Sequence, residues 1–427
     1  MTRQELMLSA STVPLSKPPL AIALVCSRRL IPAYSANTSP NFIAQSSPSK
    51  QLFRPTAFGS PVNRIPLLPA FQKAPPIPAR AFSTSTTNKM IVTPLTKLLG
   101  IRIPAVQGGM QWVGLPPMVA AVSNAGGLGV LTALSQPSPD ALRVAIRETR
   151  KLTSKPFGVN ITLLPSINPP DYAGYARVSV EEGVKIFETA GNNPGPLIQY
   201  FKSQGCIVIH KCTTIRHAKS AEKLGVDVLS IDGFECAGHP GEDDIGGLVL
   251  LARAVKELKV PFIASGGIAD ARGFAAALAL GAAGVNMGTR FMCTVEAPIH
   301  QNIKEKIVAS TERDTIHIFR SLRNTARVYK NKVAMEVVEI ERRGNAKFED
   351  IKDLVSGARG RLVYEKGDPD LGIWSAGVTV GLINDIPTCE QLLKDLEKGV
   401  EEIVAGMNKV VVSEGSASCP VSGKAKL

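Results

Sequence analysis

Short apolar segments alternate with amphipathic segments along the chain from Met90 onward. The apolar segments end in Gly, Asn, Asp or another polar residue and recur about every twenty to thirty residues, which is typical of strands joined by crossover helices. The predicted strands are Ala105–Gln107, Gly129–Leu131, Phe157–Ile161, Ile186–Thr189, Ile207–His210, Val228–Ile231, Phe262–Ala264 and Val285–Met287.

The segments between these strands have the periodicity of helices. They are Pro117–Ala125, Pro139–Leu152, Val178–Gly183, Gly195–Gln204, Thr214–Leu224, Ile245–Lys256 and Ala271–Gly281. Strands that each lead into a crossover helix predict a closed parallel (β/α)8 TIM barrel. An open doubly wound sheet would need fewer strands and a G-x-G-x-x-G in its first turn, and the start of this core has none.

The chain after the eighth strand departs from the barrel pattern. We expect the barrel domain to span residues 90–303 and a helical substrate or lid domain, which packs over the barrel mouth, to span 304–385. Val355–Asp370 is interpreted as a loop within that insertion. An amphipathic helix, Cys389–Met407, is predicted to return to the barrel wall within residues 386–408, and the tail at 409–427 is expected to be flexible.

Most of the net positive charge lies before Met90. The formal net charge is +13, and residues 1–89 contain ten Lys and Arg against one acid, Glu5. The basicity therefore belongs to this Ser- and Pro-rich leader and not to a binding face of the core, which argues against nucleic acid as a partner. We expect the leader to be a disordered mitochondrial transit peptide, because Arg80-Ala-Phe-Ser83 resembles a processing site. The C-terminal Ala425-Lys426-Leu427 resembles a peroxisomal signal, which makes the peroxisome the alternative location.

The cysteines and the hydropathy pattern exclude several classes of protein. The seven cysteines are scattered without a C-x-x-C pair, which argues for reduced thiols and against a zinc site or a disulfide framework. We therefore predict no metal site. The most apolar stretch, Phe274–Met287, is too short to cross a bilayer and contains Asn286, so we expect no membrane span.

Glycines end the last two predicted strands. Ser265-Gly266-Gly267 follows the seventh strand, and Gly288-Thr289 follows the eighth. Glycines let backbone N–H groups approach an anion, and these two loops of a TIM barrel commonly bind a ligand phosphate. The sequence therefore predicts a phosphate site between the closing turns of the barrel.

Other polar and Gly residues follow the earlier strands and would share the same face of the barrel. Gly109 and Met110 follow the first strand, Thr162 the third, and Asp232 the sixth. Lys211, after the fifth strand, is a candidate catalytic residue because its positive charge would stabilise a reduced flavin ring. His239, in a Gly-rich loop, is the second candidate, since it would orient a substrate or move a proton near neutral pH.

Several of these motifs resemble the nitronate monooxygenase (2-nitropropane dioxygenase) family over about residues 92–408. The motifs are Gln107-Gly-Gly-Met-Gln-Trp-Val-Gly114, Ala125-Gly-Gly-Leu128, His210-Lys-Cys212, Ala237-Gly-His-Pro-Gly241, Ser265-Gly-Gly267 and Met287-Gly-Thr-Arg290. The resemblance implies an FMN-binding TIM barrel with a helical substrate domain and His239 facing the flavin. The FMN contacts that it implies are Gly109, Thr162, Lys211, Ala237, Ser265, Gly288 and Thr289. Met110, Asp232, Gly266 and Gly267 complete the expected cofactor site.

One departure from the family pattern bears on the reaction. Nitronate-oxidising members usually carry Gly-Gly-His where this chain has Ala237-Gly-His239. That form, with the Pro-rich segment after the third strand, is similar to the branch of NAD(P)H:quinone reductases, so we expect hydride transfer from NAD(P)H to flavin N5 and a quinone as acceptor. Nitronate oxidation by O2 to a carbonyl compound and nitrite is the alternative, and a flavin-dependent enoyl-thioester reductase is a weaker one. The expected partners are small molecules, and self-association into a homodimer is left open.

Overall fold

The structure is a computed structural model that describes residues 90–163 and 169–410. The predicted leader, the C-terminal Ala425-Lys426-Leu427 and most of the Pro-rich segment after the third strand lie outside the described residues. The secondary structure of the described residues begins with a short helix, α1 (Pro94–Leu99), which Thr93 caps through its side chain.

Eight parallel strands form a closed barrel in which β8 pairs with β1. The strands are β1 (Ala105–Gln107), β2 (Leu128–Thr132), β3 (Phe157–Leu163), β4 (Ile186–Gly191), β5 (Ile207–Cys212), β6 (Val228–Asp232), β7 (Phe262–Ser265) and β8 (Val285–Met287). The predicted TIM barrel is confirmed, and every predicted strand is present. Several strands are longer at their carboxyl ends than predicted, because polar residues there still pair with neighbouring strands.

The crossover helices cover the outside of this barrel. They are α2 (Pro116–Asn124), α3 (Pro139–Leu152), α4 (Tyr172–Glu181), α5 (Gly195–Ser203), α6 (Ile215–Lys223), α7 (Gly247–Glu257) and α8 (Ala271–Ala279). The largest difference from the prediction concerns α4, which begins six residues earlier than Val178. Asp171 explains this earlier start, because its side chain accepts a hydrogen bond from the Gly174 N–H and caps the helix.

The barrel interior has an apolar layer below and a polar layer above. The apolar layer contains Leu95 and Leu99 of α1, which close the lower end, and inward-facing strand residues such as Val130, Ile186 and Ile263. Side chains alternate between the two faces of a strand, so the residue two positions further on points inward near the carboxyl end. On this face, polar residues replace apolar ones and build the candidate site.

The insertion after the barrel contains both helices and strands. Its elements are α9 (Thr289–Met292), α10 (Gln301–Val308), β9 (Thr315–Ile318), β10 (Ala326–Tyr329), α11 (Lys332–Arg342), α12 (Phe348–Ile351) and α13 (Gly357–Lys366). The insertion is mainly helical, as predicted, and in addition β9 and β10 form an antiparallel pair that was not predicted. The interpretation of Val355–Asp370 as a loop was wrong, since α13 lies within it and ends at Gly367, whose φ of +74° suits a helix C-cap.

The last helix, α14 (Cys389–Met407), lies against the barrel wall. It buries Leu393 and Leu396, and Gly399 allows close approach to Ala271 of α8, since a Cβ at Gly399 would lie 2.4 Å from the Ala271 Cβ. Arg102 forms an ion pair with Glu397 of this helix. Among the residues that the structure describes, no helix is both long enough and apolar enough to cross a membrane.

Candidate active site

The carboxyl ends of the barrel strands and the inner side of the insertion enclose one cavity of about 1700 Å³. All of the residues that the sequence singled out lie along it. They are Gly109, Met110, Thr162, Lys211, Asp232, Ala237, His239, Ser265, Gly266, Gly267, Gly288 and Thr289. The structure therefore brings the predicted set together, as expected for a barrel whose strands all end on one face.

Gly108 and Gly109, which follow β1, form part of the cavity wall. Neighbouring amide side chains leave no room for a Cβ at either position. A Cβ at Gly109 would lie 2.2 Å from Cγ of Asn160, and one at Gly108 would lie 2.4 Å from Oδ1 of Asn286. Met110 is held in turn by Thr132, whose hydroxyl accepts from the Met110 N–H at 2.9 Å. The wall is flat and tightly packed at this point, and no side chain larger than hydrogen fits at the two glycines.

A buried carboxylate lies directly beneath this wall. Glu188 of β4 is 1% exposed, and its Oε1 accepts hydrogen bonds from the Gly109 N–H at 2.9 Å and from the Asn160 Nδ2 at 2.8 Å. Its Oε2 accepts from the Asn286 Nδ2 at 3.2 Å. Glu188 therefore ties β4 to the ends of β1, β3 and β8. Sequence analysis missed this role, although an acid between Phe187 and Thr189 of a buried strand is a signal for it.

Lys211 is paired with a carboxylate and is not an isolated cation. Its Nζ lies 3.6 Å from Oδ2 of Asp232, and the two side chains are 24% and 8% exposed. Burial alone would lower the pKa of Lys211, but the Asp232 and Glu188 carboxylates outweigh it and raise the pKa above its usual value. Lys211 is therefore charged at neutral pH.

The turns after β7 and β8 form the corner in which a phosphate was predicted. Gly266 and Gly267 have φ values of +80° and +78°, and their N–H groups make no hydrogen bond to any described residue. Only the Met110 Sδ, at 3.6 Å, would approach a Cβ at Gly288. Thr289 is less available, because its hydroxyl already accepts a hydrogen bond from the Gly377 N–H at 3.0 Å.

Thr162 and Asp232, two further predicted cofactor contacts, differ in their hydrogen bonding. Thr162 donates its hydroxyl to Asn160 Oδ1 at 3.0 Å, so its free capacity is that of an acceptor. Asp232 has a buried Oδ1 with no hydrogen-bond partner among the described residues. An unpaired buried carboxylate oxygen costs free energy, so this arrangement does not stabilise the ligand-free protein.

The loop that carries His239 is held by the insertion. Gly238 exchanges two backbone hydrogen bonds with Arg327 of β10, at 3.1 and 2.6 Å, and Glu242 accepts from both the backbone N–H and the hydroxyl of Thr325. The Arg327 guanidinium donates to the Phe234 carbonyl at 3.0 Å and lies over the Phe234 ring. The position of the imidazole therefore depends on the strand pair that sequence analysis missed.

His239 itself lines the cavity without a side-chain hydrogen bond to any described residue. Burial lowers the pKa of His239 below its usual value, although the Glu242 carboxylate opposes the shift. The ring is therefore neutral at neutral pH and has one donor and one acceptor nitrogen available to a ligand.

The comparisons with known proteins agree with this arrangement. A family model described as nitronate monooxygenase matches residues 92–399. The chain belongs to the nitronate monooxygenase family. A hydroxy-methyl-oxo-octahydroindene-carboxyl-CoA dehydrogenase of Rhodococcus jostii is 32% identical over 336 residues, which cover 70% of this chain and 93% of that protein.

Two solved structures are similar in fold and in sequence. FabK from Thermotoga maritima has a TM-score of 0.70 and 37% identity and covers 75% of this chain and 100% of its own. A nitroalkane oxidase from Streptomyces ansochromogenes has a TM-score of 0.64 and 26% identity, with 73% and 99% covered. The family match and the nitroalkane oxidase neighbour indicate an FMN-dependent oxidoreductase.

Proposed function

We propose that this chain uses FMN to pass hydride between NAD(P)H and a conjugated carbonyl compound, with a quinone as the first candidate acceptor. FMN, when bound, supplies two-electron chemistry at its N5 atom. The observation that carries the proposal is the cavity of about 1700 Å³. Pockets for a single small ligand are typically about 300–1,000 Å³, so this one has room for FMN and a second ring system, which a small alkyl nitronate would not fill.

The residues present fit FMN in two respects. The free N–H groups of Gly266 and Gly267 lie side by side at a turn, which is a suitable arrangement for a phosphate. Gly108 and Gly109 would leave space for a flat ring above the Asn160 and Asn286 amides.

Lys211 and His239 have different tasks in this proposal. Lys211 would hold a positive charge at the cavity wall, and Asp232 would keep the ammonium in place. His239 would orient the acceptor and donate or accept a hydrogen bond as a neutral imidazole, because burial disfavours its charged form. Because the imidazole is neutral before the substrate binds, His239 could accept a proton without first losing one.

The second candidate acceptor is an α,β-unsaturated thioester. The specific observation in its favour is the relative from Rhodococcus jostii, whose name describes a carboxyl-CoA substrate and which matches this chain over 93% of its length. Nitronate oxidation is retained as the reaction that the family description names. The replacement of the usual glycine by Ala237 is the sequence feature that speaks against it.

An anaerobic mixing experiment separates these reactions. The FMN-loaded protein is mixed with NADH, NADPH or an alkyl nitronate, and the flavin absorbance is followed. We expect NADH or NADPH to bleach the flavin, and 1,4-benzoquinone or crotonyl-CoA to restore the colour. Bleaching by the nitronate with both nicotinamides inert would reject the proposal. As a control, Lys211→Met should bind FMN but bleach more slowly, because the positive charge at the wall is lost.

We also propose import into mitochondria through residues 1–89, with the peroxisome as the alternative through Ala425-Lys426-Leu427. Fluorescent fusions of the full chain and of a form that starts at Met90 test this. A mitochondrial signal that is lost in the shorter form supports import. A cytosolic signal for the full chain would reject both locations.

A further inference from the structure

Tyr364 is a buried tyrosine whose hydroxyl has no hydrogen-bond partner within the described part of the chain. It lies in α13 of the insertion, is 8% exposed and lines the cavity. The Tyr364 hydroxyl makes no hydrogen bond to any residue in 90–163 or 169–410. Unlike the Trp112 Nε1, the Tyr364 hydroxyl is not fully enclosed.

The other buried tyrosines show how unusual this is. Tyr329 of β10 is 4% exposed, and its hydroxyl lies 3.0 Å from the Ser310 Oγ. Tyr175 of α4 is equally buried, and its hydroxyl donates to the Gln136 carbonyl at 2.7 Å. Buried tyrosine hydroxyls normally find a partner, since an unpaired one costs the free energy of its lost hydration. The Tyr364 hydroxyl therefore contributes no hydrogen bond to the stability of the ligand-free protein.

We propose that Tyr364 donates a hydrogen bond to the carbonyl oxygen of the acceptor and so helps to select conjugated carbonyl compounds. This inference rests on the proposed function, which supplies a substrate whose oxygen gains negative charge when hydride is added. A donor placed at that oxygen stabilises the charge as it develops. Burial raises the pKa of Tyr364 above its usual value, so the hydroxyl keeps its proton across the neutral range.

The position of Tyr364 explains why the insertion would matter for specificity. The barrel strands contribute Lys211 and the glycine turns to the cavity lining, whereas the Tyr364 hydroxyl comes from α13 of the insertion. A main-chain hydrogen bond anchors this helix, in which the His300 N–H donates to the Tyr364 carbonyl at 2.8 Å. The side chain thus projects from an anchored element and needs no rearrangement to meet a ligand.

Tyr364→Phe tests the inference, with Tyr329→Phe as the matched control. Both variants remove one hydroxyl from a buried ring, but only the Tyr329 hydroxyl has a partner. We expect Tyr364→Phe to leave the Tm of the FMN-loaded protein equal to or above that of the wild type, and to leave the Kd for FMN unchanged. Tyr329→Phe should lower the Tm. A Tyr364→Phe protein that loses as much Tm as the control would show a structural role and overturn the inference.

The ligand readouts are the binding of butyryl-CoA, which carries a thioester carbonyl, to the oxidised protein by calorimetry, and the reoxidation of reduced protein by crotonyl-CoA or 1,4-benzoquinone. Tyr364→Phe should weaken binding or slow reoxidation about 10- to 100-fold, and Tyr329→Phe should change neither. Wild-type rates in Tyr364→Phe would overturn the inference and leave the proposed function intact. A wild type that reacts with neither acceptor would overturn the proposed function and this inference with it.

Discussion

Replacing Glu188 by Gln tests whether the cavity wall depends on the carboxylate beneath it. The substitution keeps the volume and one acceptor oxygen, which can still receive the Gly109 N–H and the Asn160 amide. The new amide group would then face the Nδ2 of Asn286, which loses one of its two acceptors and keeps the Ser230 Oγ at 3.2 Å. One donor facing another in a buried site costs about 1–3 kcal/mol, so Glu188→Gln should lower the free energy of unfolding by that amount. Glu188→Ala removes the acceptor of both the Gly109 N–H and the Asn160 amide and should cost roughly 3–5 kcal/mol.

The assay is denaturant unfolding of the FMN-free protein, followed by titration with FMN. Glu296→Gln is the control, because its carboxylate also accepts from a backbone N–H, that of Cys389, but lies away from the cavity. We expect Glu188→Gln to weaken FMN binding and Glu296→Gln to leave it unchanged. If Glu188→Gln is as stable as the wild type and binds FMN equally tightly, the wall does not depend on this carboxylate.

Three further perturbations follow from the same contacts. Gly109→Ala places a Cβ 2.2 Å from Cγ of Asn160, so overpacking should lower the free energy of unfolding by about 1–3 kcal/mol. It should also weaken FMN binding; denaturant titration measures the first effect and FMN titration the second. Arg327→Leu removes the guanidinium that donates to the Phe234 carbonyl and lies over the Phe234 ring, while the backbone bonds to Gly238 remain, so amide hydrogen exchange of residues 233–246 should become faster; unchanged exchange would contradict this. Burial lowers the pKa of His210 to about 4. The unfolded chain binds its proton at a higher pH, so the wild type should lose up to about 3 kcal/mol more than His210→Gln as the pH falls from about 6.5 towards 4.

The sequence was sufficient to predict the strand ends because their signals are local. Glycines and polar residues directly follow short apolar runs, and the alternation of side chains along a strand places them on one face. The role of Glu188 was not predictable in this way. Its partners are 28, 79 and 98 residues away in sequence, on three other strands, and only the closed barrel brings them together.

The secondary structure of the insertion was harder to predict, because the local sequence signals of its strands and of α13 are weak. In β9 and β10, Ile316, Ile318 and Val328 alternate with His317 and Arg327, whose polar side chains pack against the loop around Phe234 and not against solvent. Tertiary contacts therefore decide the strand structure there. In α13 two glycines precede the buried Val363 and Tyr364, which weakens the helical pattern.

The most direct test of the account is the visible spectrum of the purified protein, recorded without oxygen before and after addition of NADH or NADPH. The account predicts stoichiometric FMN in the cavity at the carboxyl ends of the barrel strands, whose absorbance disappears when one of the nicotinamides is added. Colourless protein that takes up no FMN after incubation with an excess of it would contradict the central claim.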